Sequence, residues 1–123
     1  MLVEILPRPA YKSRPLDCVG VTVYQSNKAD RMLVFALGIH TAELAGFVKG
    51  SRVGISYNTD TREVVISKNV RGYTVGVTSG RTSHLWVRLS WREPFPLIQK
   101  QAFLDNLCVI PGEIRGILPK ESN

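Results

Sequence analysis

The run from Leu85 to Arg92 reads LWVRLSWR, and its residue types point most directly to chemistry. Side chains on a strand alternate between two faces. With Leu85, Val87, Leu89 and Trp91 turned inward, Trp86, Arg88, Ser90 and Arg92 share the outward face. One indole and two guanidiniums among small polar neighbours suit phosphate contact combined with base stacking. The strand expected to face this one adds Thr74, Gly76 and Thr78, and Arg71 and Arg81 extend the patch. A competing reading of the same residues puts Trp86 in the core of a two-layer sandwich, with Arg88 and Arg92 only solvating an edge.

The other reactive residue types form no comparable group. His40 and His84 have no cysteine, histidine or carboxylate at ligand spacing, so each reads as a loop residue and no metal site is expected. Ser79 and Ser83 lie near His84, but a hairpin tip offers neither a buried base nor an oxyanion hole. The ten acidic residues are scattered singly, with no pair spaced for shared acid and base work. Gly72, Gly76 and Gly80 are evenly spaced but belong to a strand and its turn rather than to a phosphate loop ahead of a helix. The sequence therefore argues against an enzyme, and no cofactor is expected.

Charge supports the first group. The 123-residue chain carries a net charge of +6, unevenly distributed. Between residues 62 and 92, Arg62, Lys68, Arg71, Arg81, Arg88 and Arg92 are set against Glu63 alone. Such a block suits an anionic partner, nucleic acid first, although a solvated basic surface that aids solubility is an equal reading.

Length suits one domain with a single core. The opening MLVEILPRPAYKSRP is too broken by proline for a signal peptide, and no run approaches the ~18 apolar residues of a membrane helix, so a soluble cytoplasmic protein is expected. Cys18 and Cys108 match no metal spacing and read as reduced, half-buried thiols, with a disulfide between them left open.

The elements that must position Trp86 and its neighbours are mostly strands. A short edge strand at Leu2–Leu6 and an irregular arm occupy residues 1–17. Residues 18–25 alternate, with Val19, Val21 and Val23 on one face. A polar loop at 26–30 leads to RMLVFALG, which is apolar on both faces and so central. Thr41 caps a short helix near residues 41–47, with Glu43 in its first turn and Gly50 in the left-handed position that ends it. Strands around Asn58–Thr61 form a hairpin. A second hairpin has Tyr73, Val75 and Val77 on one face and a tip at residues 79–83. Glu93-Pro94-Phe95-Pro96 must break the sheet. Gln99–Leu107 reads as a weak helical turn, and Leu107–Ile110 as a last strand. The expected architecture is mainly β: a small barrel or sandwich of about six to eight short strands in hairpins with that one helix. It comprises an N-terminal arm (1–17), a β core (18–92) and a C-terminal arm (93–123).

Residues 31–68 resemble the swapped-hairpin DNA-binding family typified by AbrB, SpoVT and the MazE antitoxins. Arg31-Met32-Leu33-Val34 looks like the opening strand of that family, Ala42-Glu43-Leu44-Ala45-Gly46-Phe47 like its helix with a Leu-Gly end, and Lys49-Gly50-Ser51-Arg52-Val53 like its turn. Ile55–Tyr57 and Val64–Lys68 look like its closing hairpin. The chain departs at Asp30, where the family has glycine, at Ser51, where it has aspartate, and at 36–38, where a proline is missing. The resemblance implies an intertwined homodimer that binds operator DNA, with Arg31 and Lys28 near the DNA. Being small and basic, the chain also resembles phage or prophage accessory proteins.

The leading expectation is thus a regulatory or accessory protein that binds duplex DNA through a basic hairpin face. Two alternatives use other features. One is a protein-binding adaptor or inhibitor that docks through Phe95, Leu97, Ile98, Phe103 and Leu104. The other is a small barrel that stacks single-stranded nucleic acid on Trp86 and Tyr73.

Overall fold

A computed structural model describes residues 18–25, 31–77, 85–98 and 100–120. The strand expected at 2–6, the loop at 26–30 and the hairpin tip at 79–83 lie outside the described residues. In chain order the elements are β1 (Val19–Gln25), β2 (Arg31–Leu37), α1 (Ile39–Ala45), β3 (Arg52–Tyr57), β4 (Glu63–Lys68), β5 (Tyr73–Thr74), β6 (Gly76–Val77), β7 (Leu85–Ser90), β8 (Ala102–Phe103), β9 (Asp105–Ile110) and β10 (Glu113–Ile117).

They form two antiparallel five-stranded sheets, a small mainly-β sandwich with barrel-like corners. The first sheet has the order β6-β7-β2-β1-β8, and the second β5-β3-β4-β10-β9. The alternation of 18–25 and the doubly apolar run of 31–38 explain the centre of the first sheet. β2 lies between β1 and β7, with Phe35 opposite Val21 on one side and Val87 on the other. All three side chains are fully buried. The second sheet supplies Val53, Val64, Ile66 and Ile114 to the same core.

Five expectations require correction. Thr41 does not cap the helix: Gly38 precedes it without a side-chain cap, and Thr41 is buried within it. The end is at Gly46, not Gly50. Gly46 adopts φ 78°, and the N–H groups of Gly46 and Phe47 donate to the carbonyls of Glu43 and Ala42. That pattern needs a left-handed residue, which glycine adopts without a Cβ clash. It also folds Phe47 back into the core at 2% exposure. Gly50 is left-handed as well, at φ 91°, but it shapes the following turn.

The expected strand through Tyr73, Val75 and Val77 is two strands. β5 pairs with β3 in the second sheet, and β6 pairs with β7 in the first. Val75 is the corner between them. Its N–H donates to the Ser51 carbonyl and its carbonyl accepts from Gly50, so both backbone groups are satisfied away from either ladder. The chain therefore changes sheet with Val75 buried and Tyr73 and Val77 exposed.

The described residues of the expected helical turn, 100–107, are not helical: β8 and the start of β9 occupy that stretch, joined at a second buried corner, Leu104. Nor do the described residues of the expected C-terminal arm, 93–98 and 100–120, form one. β10 lies between β4 and β9, and Ile114 and Leu118 are buried beneath it. The Arg62 guanidinium donates to the carbonyls of Leu118 and Pro119 at 2.8 and 2.7 Å, tying the end of the described chain to the start of β4.

No helix is long and apolar enough to cross a membrane, among the described residues.

Candidate functional site

The outward face of the first sheet follows from the strand register. Gly20, Ala36, Trp86 and Gly76 lie side by side across β1, β2, β7 and β6, with Phe103 of β8 next to Gly20. The next outward row is Thr22, Val34 and Arg88, and the one after is Tyr24, Met32 and Ser90. The inward residues of β7, Leu85 and Val87, are buried and Leu89 is half-buried, so Trp86, Arg88 and Ser90 do share the outer side.

Small residues let the aromatic groups lie low on this face. A Cβ placed on Gly76 would come within 2.6 Å of the Trp86 indole, so the ring occupies the space a side chain would need. On Gly20 the Gln101 side-chain amide fills the same space, 2.5 Å from where a Cβ would stand. Trp86 is consequently half-buried rather than enclosed in the core.

Arg88 organises the polar chemistry. Its guanidinium carbon lies 4.7 Å from the Trp86 ring centre and 6.0 Å from that of Tyr24. A cation over a ring face is attracted by the ring quadrupole, by ~0.5–1 kcal/mol at an exposed site. Trp86 shares β7 with Arg88 whereas Tyr24 stands on β1, with β2 between, so the guanidinium is shared by rings from two strands. No carboxylate stands on this face among the described residues, and no ion pair holds Arg88 there. Among the described residues, no acceptor takes its donors.

The outer face of the second sheet is the contrast. There one cation, Arg115, is neutralised by Glu113 at 2.8 Å and Glu63 at 3.6 Å. The Arg115 hydrogen bond holds the Glu113 carboxyl below its ordinary value; slight desolvation opposes this, and the Arg115 charge assists it. A lowered folded value means a stabilising contribution present above the unfolded carboxylate value and lost as pH falls through the folded one. Glu113→Gln is therefore expected to lower the urea midpoint slightly at neutral pH. The difference from the parent should narrow as pH falls, and a difference that stays constant down an acid series would show that the ion pair is not its source.

Of the other sequence-predicted residues, Gly76 and Ser90 share this face with Trp86 and Arg88, whereas Arg31, Arg71 and Thr74 lie elsewhere. Arg31 follows the inward alternation of β2 and emerges at the rim, its guanidinium 5.6 Å from the Trp91 ring. Trp91 is half-buried and its indole N–H donates to the Pro96 carbonyl at 3.3 Å, which makes that pair a closure of the sandwich rather than part of the outer face. Arg71 sits in the turn between β4 and β5, where its N–H donates to the Asn69 side chain. Thr74 belongs to the second sheet. Arg92 is exposed just beyond β7. Arg81, Lys28 and Thr78 lie outside the described residues.

The apolar segment expected to dock on a partner is largely core. Phe95, Ile98 and Leu104 are 7%, 2% and 7% exposed, leaving Leu97 and Phe103 at the surface. Phe95 meets Phe35 edge-on at 5.9 Å and Tyr57 at 4.8 Å, linking the two sheets. Proline-rich segments read as arms because proline stops ladder pairing, but an unpaired segment can still supply core side chains.

Tyr24 is the site residue that sequence reasoning missed. Its alternation with Val23 marked it as outward, but its proximity to Arg88 depends on a neighbour 64 positions later in the chain, brought over by the β1-β2-β7 order. Among the described residues no group of three or more histidine, cysteine or acidic side chains could hold a metal ion. Cys18 is half-buried ahead of β1, and Cys108 is exposed on β9 in the other sheet. No family model, no curated protein and no solved structure matches this chain, so the bridged Trp86–Arg88–Tyr24 group stands on its own geometry.

Proposed function

We propose that this protein binds nucleic acid across the outer face of its first sheet, as an accessory or regulatory protein. The observation that carries the reading is the Arg88 guanidinium held over Trp86 and Tyr24 on a face with no carboxylate among the described residues. A guanidinium offers donors in a fork that matches phosphate, and aromatic rings offer surfaces to bases. The net charge of +6 favours encounter with a polyanion.

Binding of this kind releases counterions, so affinity falls steeply with salt. Fluorescence anisotropy with labelled DNA, single-stranded and duplex, tests the proposal across a salt series. Arg88→Ala is expected to weaken binding and to reduce the slope of log K against log salt by about one. Arg92→Ala, at an exposed position just beyond β7, is expected to do the same. Failure of both DNA forms to bind the parent protein at low salt would end the proposal.

A further inference from the structure

The shape of this face favours one form of nucleic acid over the other. We infer that the ligand is single-stranded, with unpaired bases stacking against Tyr24 and Trp86 while Arg88 takes a phosphate; the inference rests on the nucleic-acid reading above.

The first argument is width. Trp86 and Tyr24 stand on β7 and β1, with β2 between them, in the interior of a five-stranded sheet. Neighbouring strands lie ~4.8 Å apart, so five of them span roughly 19 Å between outermost backbones. The major groove of duplex DNA is only ~12 Å wide. The sheet face formed by the described residues cannot enter it, and the aromatic groups stand on the body of that face. A duplex could offer this face only its phosphates, leaving both rings without a partner.

The second argument is chemical. A duplex keeps base faces within its stack, whereas a single strand presents them to any flat apolar surface. Tyr24 is 39% exposed and Phe103, in the same outward row as Trp86, is 40% exposed. Between Phe103 and Trp86 the floor is Gly20, overlaid by the Gln101 amide, and Ala36. Rings around a shallow floor, one guanidinium and one amide form a platform for bases rather than a purely electrostatic contact.

Anisotropy titrations of the full chain with labelled oligothymidylate and with a duplex of equal length decide this at low salt. The expected result is at least tenfold tighter binding of the single strand. Tyr24→Leu, at an exposed position, should lower single-strand affinity about fivefold or more while duplex affinity stays unchanged. In a Trp91→Phe background the remaining Trp86 emission should be quenched by oligothymidylate, a readout independent of the Tyr24 variant. Equal or tighter duplex binding, or a single strand that leaves Trp86 emission unaltered, overturns the platform and leaves the broader nucleic-acid reading intact. Absence of binding to either form overturns both.

Discussion

A chain that stops at Ile110 should show no cooperative unfolding transition. Removing residues 111–123 deletes β10, which pairs with β4 along five positions from Glu113 opposite Ser67 to Ile117 opposite Glu63. It also removes Ile114 and Leu118, 0% and 1% exposed, and the two carbonyls that receive the Arg62 guanidinium. Burial of each large aliphatic side chain contributes ~1.5–3 kcal/mol, and its loss from a packed core costs ~2–5 kcal/mol once the cavity is counted. β4 and β9 would in addition lose the strand that lies between them. The total exceeds most of the ~5–15 kcal/mol that stabilises an ordinary domain. Far-UV circular dichroism during a thermal ramp measures this. A truncated chain that melts as sharply as the parent would show that β10 is dispensable and that the second sheet closes without it.

Phe35→Ala should be the most damaging single substitution in the first sheet, at about 3–5 kcal/mol. Phe35 is fully buried on the central strand β2, between Val21 and Val87. Its ring meets Phe95 edge-on, and Phe95 in turn meets Tyr57 of the second sheet. Truncation would therefore open a cavity between the layers, where rigid strands on both sides limit collapse. A melting temperature lower by on the order of 15 °C is expected for a domain of this size. Phe103→Ala provides the comparison. It removes the same side chain from the outer face, where 40% of it already meets solvent. A loss of about 1 kcal/mol or less is expected there. Similar losses at the two positions in urea denaturation would contradict the assignment of inner and outer faces.

The chain by itself determined which residues share a face and where most strands run. The alternation of Val19, Val21 and Val23, and of Leu85 and Val87 against Trp86 and Arg88, is a period-two signal that survives folding because strand geometry imposes it locally. The doubly apolar run at β2 likewise marked a central strand, and the turn at Asn58–Thr61 followed from side-chain hydrogen bonds an asparagine makes to its own neighbours, here to the N–H groups of Asp60 and Thr61. What only the tertiary structure decided is which distant segments become neighbours. Nothing local told Gly46 from Gly50 as the helix end; the difference is that Phe47 must turn into the core directly after it. Nothing local showed that β5 and β6 would part at Val75, or that β10 would complete the second sheet, because sheet order is settled by long-range burial rather than by propensity. The candidate site shows the same division. Trp86 and Arg88 are two residues apart and were legible together, whereas Tyr24 joins them only through β2, and Arg31 and Arg71 leave the group because the sheets turn them to other surfaces.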